Sequence, residues 1–192
     1  MPKRKAEQTI ARLVGECVDS VIRDLGFQAR QLAGESTSNP GQKALAVRIR
    51  FGNAGIQGGV TLRATQVMFQ RLFPRNAEKA ASDGPNDLAD WAREVANLIV
   101  GRFRNRASRY GLLVGISCPE NVALDQLVDA TSRAASRIPL VFAIDDAASK
   151  QAPPSEERLD AWLELWMADG VEIKDSPVSS QDGLFEGDTI IF

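Results

Sequence analysis

Apolar residues recur along the chain at two spacings, and the switches between them divide it into elements. Residues 6–26 place Ile10, Leu13, Val14, Cys17, Val18, Val21, Ile22 and Leu25 three and four apart, the repeat of a helix that buries one side. Gly26 then predicts its C-terminal stop. After the turn-rich "GESTSNPGQK" (34–43), "ALAVRIRF" (44–51) alternates, with Leu45, Val47, Ile49 and Phe51 on one side and Arg48 and Arg50 on the other. "GNAGIQGG" supplies a turn and "VTLRAT" (60–65) alternates again, so 44–65 reads as a β-hairpin. "TQVMFQRLF" (65–73) predicts a short helix ended by Pro74, and "NAEKAASDGPN" (76–86) a surface linker.

Asn86 or Asp87 is placed to cap a long helix running to about residue 107. "GLLVGISCP" (111–119) and "IPLVFAID" (138–145) read as strands joined by the more polar 120–137. "PPSEERLDAWLELWMADG" (153–170) predicts an amphipathic helix with Leu159, Trp162, Leu163 and Trp166 on one stripe and Gly170 at its end. "GDTIIF" (187–192) predicts a final strand. The order α-β-β-α-α-β-β-α-β implies an α+β fold, one sheet with helices packed on it.

Composition narrows the chemistry. At 192 residues the chain fits one domain, or one domain with an appended element, and is long enough to bury a core without staples. The charges nearly balance, 23 Lys and Arg against 25 Asp and Glu, so bulk electrostatics predicts neither a nucleic-acid nor a membrane partner. With no histidine, His-based metal sites, Ser-His and Cys-His nucleophile systems and imidazole general bases are excluded. Two cysteines, Cys17 and Cys118, are too few for a zinc site and fit a reducing compartment. The basic "MPKRK" lacks the apolar stretch of a signal peptide and no apolar run approaches a membrane span, so a cytoplasmic protein is expected.

One helix carries a pattern that packing does not require. On a wheel of about 100° per residue, Leu88, Ala92, Val95, Ile99 and Phe103 form one stripe, with Trp91 and Ala96 at its margins. Asp90, Glu94, Asn97 and Gly101 align roughly opposite, as a continuous outer row. The ordinary reading of a lone Glu and Asn there is a solvated surface. Asn is a poor mid-helix residue, however, because its side chain competes for backbone hydrogen bonds. Gly101 costs roughly another 1 kcal/mol against Ala. A row that accepts both losses reads as a docking surface with one carboxylate and one carboxamide at its centre, and Gly101 would let another backbone approach beside Asn97.

The run Glu94-Val95-Ala96-Asn97-Leu98-Ile99-Val100-Gly101 resembles the E-x-x-N-x-x-x-G signature of the CheX/CheC/FliY chemotaxis phosphatases, which dephosphorylate the response regulator CheY. The N-terminal helix, the hairpin with "GNAGIQGGVTL", the linking helix, the motif helix and a strand ending in Pro119 follow the family's order over residues 6–145. A single E-x-x-N resembles the one-site CheX branch rather than CheC. The resemblance implies a CheC-like two-layer fold, a mostly antiparallel sheet with helices on one face. Residues 1–145 would form the CheX-like phosphatase domain. Residues 146–192 would be a C-terminal extension holding the extra helix and the closing strand of the same domain. CheX proteins are typically homodimers that join their sheets, an expectation that the unmatched 146–186 leaves open.

The activity implied is hydrolysis of the aspartyl phosphate of a phosphorylated CheY-like receiver. By resemblance, Asn97 orients the attacking water and Glu94 pairs with the receiver's lysine, with Asp90 and Gly101 contributing to partner binding. No cofactor or metal of the chain's own is needed, since the receiver brings Mg²⁺. The alternative is a non-catalytic receiver-binding or flagellar-switch-like module on the same fold. Arg93, Arg102, Arg104, Arg106 and Arg109 surround the second half of the helix. They read either as cations at a helix C-terminus with surface solvation, or as attraction towards a receiver's acidic pocket.

Overall fold

The computed structural model describes residues 3–33, 43–73, 85–123, 136–146, 158–174 and 176–177. The first apolar repeat forms helix α1, Lys3–Asp24, which buries Ile10, Leu13, Val14, Cys17, Val18, Val21 and Ile22. Gly26, at φ 91°, turns the chain out of the helix. It leads directly into strand β1, Phe27–Leu32, which the sequence pattern did not disclose. Strands β2 (Ala44–Gly52) and β3 (Ile56–Thr65) form the expected hairpin with a tighter turn, because Ile56–Gly59 already belong to β3. Asn53 organises that turn, its Oδ1 accepting from the backbone of Gly55 and Ile56 at 2.8 and 3.0 Å. Helix α2, Gln66–Arg71, starts from a Thr65 cap whose hydroxyl accepts from the Met68 amide at 3.1 Å.

Helix α3 spans Pro85–Arg109, and the 111–119 stretch contributes only the two-residue strand β4, Gly115–Ile116. Glu120–Asn121 form β5, which also pairs with β2. Strand β6 is Ser136–Asp146, slightly longer than expected. The stretch expected as an amphipathic C-terminal helix is strand β7, Arg158–Met167. Leu159, Ala161, Leu163, Leu165 and Met167 alternate into the core, a period of two that the 3.6-residue stripe had masked. The expected strand at 187–192 lies outside the described residues.

All strand pairs are antiparallel and the sheet order is β1-β6-β7-β3-β2-β4. β7 therefore sits in the middle of the sheet, Val60 facing Leu163 on one side and Ile138 facing Leu163 on the other. Val47, Ile49, Val60, Leu62, Leu159, Leu163, Phe142 and Ile144 carry the core face, and α1 and α3 pack on it against each other. The opposite face is polar in the centre. Arg48 on β2 reaches over β3, its Nε donating to the Thr61 hydroxyl at 3.0 Å and its NH2 lying 3.5 Å from Glu164 on β7.

Candidate functional site

The site begins with how α3 is held. Pro85 opens the helix, one position before the expected cap, where a missing N–H costs nothing and φ is already helical. Ala92, Val95, Ala96, Ile99, Val100, Phe103 and Ala107 are fully buried against the sheet and α1, with Leu88, Trp91 and Leu98 partly buried at the edges. At the C-terminal end Gly111 adopts φ 78°. The Leu112 amide donates to the Ala107 carbonyl at 3.0 Å and the Gly111 amide to Ser108 at 3.0 Å, a Schellman closure. The segment after β7 seals this end, the Lys174 amide donating to the Tyr110 carbonyl at 3.0 Å.

α1 runs antiparallel beside α3 and is tied to it by a ladder of charged contacts. Arg102 donates to the Ser20 hydroxyl at 2.7 Å and to Asp24 at 2.5 Å. Arg106 pairs with Glu16 at 3.1 Å, and Arg12 joins the same Glu16 at 2.6 Å while reaching the Tyr110 hydroxyl at 3.4 Å. Two of the five arginines noted in the sequence thus face the neighbouring helix. Neither sequence reading, helix-end solvation nor attraction to a partner, anticipated this contact.

The opposite side of α3 is open. Glu94 and Asp90 are exposed and Asn97 is half-buried, three and seven positions along one ridge. Asp90 is engaged by Arg93 on its own helix. Among the described residues, neither Glu94 nor Asn97 has a side-chain hydrogen bond or ion pair, so both are free to meet something else. Among the described residues, a Cβ built on Gly101 meets no atom within 4 Å beyond its own turn of helix, so none of them requires the glycine. The four residues singled out in the sequence therefore share one ridge. An open cleft lined by Lys3, Met167, Asp169 and Glu172 includes none of them. Among the described residues no group of three acidic or sulfur side chains is placed to hold a metal ion, and no helix is long and apolar enough to cross a membrane.

This arrangement of sheet, paired long helices and hairpin is found in solved structures. CheX from Vibrio vulnificus superposes with a TM-score of 0.60 at 10% identity, over 82% of this chain and 96% of that one. A CheC-like superfamily protein from Shewanella sp. PV-4 gives 0.57 at 11% identity, over 82% and 97%. The chain has the CheX/CheC/FliY fold. FliY from Thermotoga maritima matches at 0.51 and 13% identity over 88% of this chain and 92% of that one. CheX in the CheX–CheY–BeF₃–Mg²⁺ complex from Borrelia burgdorferi matches at 0.54 and 9% identity, over 81% and 96%. No protein-family model matches the sequence, and no curated protein does. The likeness is thus one of fold, carried by packing and topology rather than by overall sequence.

Proposed function

We propose that this CheX-fold protein dephosphorylates a CheY-like response regulator by hydrolysing its aspartyl phosphate. The observation that carries the reading is the pairing of Glu94 and Asn97 on a solvent-facing ridge of α3, both without a partner in the chain's described residues. An exposed helix ridge with unpartnered polar side chains suits contact with the phosphorylated pocket of another domain. It suits a small substrate poorly, because such ligands need a concave site. A CheX of the same fold is known in complex with CheY, which supports a receiver as the partner.

An acyl phosphate is already reactive, so the helper's task is positioning rather than covalent chemistry. Asn97 holds a water in line with the bond between phosphorus and the aspartyl oxygen. Its carboxamide can accept from and donate to that water without changing protonation state. The water oxygen bonds to phosphorus and the aspartyl oxygen leaves, so the products are inorganic phosphate and the free carboxylate. Glu94 pairs with the receiver's lysine and fixes the register of docking.

The test is the decay of a phosphorylated CheY receiver with and without this protein. Wild type accelerates decay, while Asn97→Ala keeps its fold and loses the acceleration at saturating protein. Glu94→Ala raises the concentration needed for half-maximal acceleration more than it alters the saturated rate. Receiver capture without any acceleration by wild type would sink the catalytic reading and leave a binding module.

A further inference from the structure

Three of the five arginines on α3 are already occupied. Arg93 is engaged with Asp90, Arg102 with Ser20 and Asp24, and Arg106 with Glu16. Arg104 is exposed and, among the described residues, has no ion pair or hydrogen bond. Seven residues beyond Asn97 it returns to nearly the same side of the helix, two turns on. Arg109 is also exposed, but falls about a third of a turn away, on the side where α1 packs. The row therefore has an unneutralised anion at Glu94 and an unneutralised cation at Arg104, with the open backbone of Gly101 between them. At about 1.5 Å per residue the two charged positions stand roughly 15 Å apart along the helix axis.

Resting on the phosphatase reading, we propose that Arg104 is a docking residue that takes a carboxylate on the receiver's surface while Glu94 meets the receiver's lysine. The two contacts of opposite sign, at opposite ends of Asn97 and Gly101, define the direction in which the helix lies across the partner. A receiver with both charges in the reverse order would meet like against like at each end, which costs far more than a missing contact. The ridge thus selects among receivers by charge order, and Arg104 acts on binding without touching the reacting atoms.

The test uses the full chain and CheY receivers from the same genome, each loaded with Mg²⁺ and BeF₃. Arg104→Glu is expected to weaken capture of the preferred receiver by about tenfold or more, the order of a charge pair turned repulsive. Arg104→Gln is expected to weaken it less and to flatten its dependence on ionic strength. The saturated dephosphorylation rate stays at the wild-type value in both, and Arg109→Glu binds as wild type does. Wild-type affinity in Arg104→Glu would overturn the role of Arg104 and leave the phosphatase reading standing. Equal losses in Arg104→Glu and Arg109→Glu would overturn it too, in favour of a diffuse field. Failure of wild type to bind or dephosphorylate any receiver would instead overturn the phosphatase reading itself.

Discussion

Phe51 of β2 and Phe103 of α3 meet under the motif helix, their ring centroids 4.9 Å apart and their planes tilted by 57°. Gly58 lies directly opposite Phe51 on β3, and a Cβ there would stand 2.6 Å from the Phe51 ring, 2.7 Å from the Glu164 carbonyl and 2.9 Å from Leu165. The glycine lets Phe51 lie against the sheet and reach Phe103, so the hairpin fixes how α3 sits. Phe103→Ala should lower the unfolding free energy by about 3–5 kcal/mol, and Gly58→Ala by about 1–3 kcal/mol through overpacking. Because both act through Phe51, the double variant should lose less than the sum. Urea denaturation of the four proteins measures this, and strictly additive losses would show that Phe51 does not link hairpin to helix.

Much of this architecture is written locally, and the part that is not depends on distant pairing. The apolar stripe of α3 announces both its buried side and its outer row, because a helix makes its own backbone bonds and needs only one consistent face. The hairpin is equally plain, since its turn is short and Asn53 and the glycines around it mark the place. β7 defeats a local reading because Leu159, Trp162, Leu163 and Trp166 satisfy a helical stripe while Leu159, Ala161, Leu163, Leu165 and Met167 satisfy a strand. A central strand has apolar residues of both parities, and Trp162, with Arg137 stacked 5.1 Å from its ring, belongs to the outward set. What decides between the periods is pairing with Ile56–Ala64, about a hundred residues earlier, which no local window contains. β1 escaped notice for a similar reason. Only Phe27 of its residues is buried, with Ala29 and Leu32 half-buried and Gln31 exposed, so its alternation is weak and its pairing with the distant β6 makes it a strand. The charged ladder between α1 and α3 was hidden because spacing on one helix does not say which face another helix will cover.

Gly101 gives a prediction with two signs. Among the described residues nothing outside its own turn of helix lies within 4 Å of a Cβ there, and its φ is not in the left-handed region, so alanine enters without strain. Gly101→Ala should therefore raise stability by about 1 kcal/mol, the difference between the two residues within a helix. The same methyl group stands where the partner's backbone is proposed to approach, so capture of a BeF₃-loaded CheY receiver should weaken. A rise in the urea midpoint with undiminished capture would remove Gly101 from the interface. An unchanged or lower midpoint would mean that the helix itself needs the glycine.

The two cysteines should separate cleanly in reactivity and in their effect on pH stability. Cys118 is exposed, whereas Cys17 is fully buried on α1. Burial pushes the Cys17 thiol from 9.0 up to about 11, desolvation outweighing the opposing pull of the nearby Arg106 and Arg102. A thiol reagent at pH 8 should therefore modify one site quickly in the native protein and the second only in denaturant. The fold holds Cys17 protonated, so the unfolded chain releases that proton first as pH rises. The stability linked to it is fully present below about pH 9 and declines as pH climbs towards 11. Other groups titrate in the same range, so the quantity to follow is the difference in unfolding free energy between wild type and Cys17→Ala. That difference should be constant from pH 7 to about 8.5 and should shrink steadily above it. A difference that stays flat to pH 11 would mean that the thiolate is tolerated inside the folded protein, and that the contact between α1 and α3 is wetter than its packing implies.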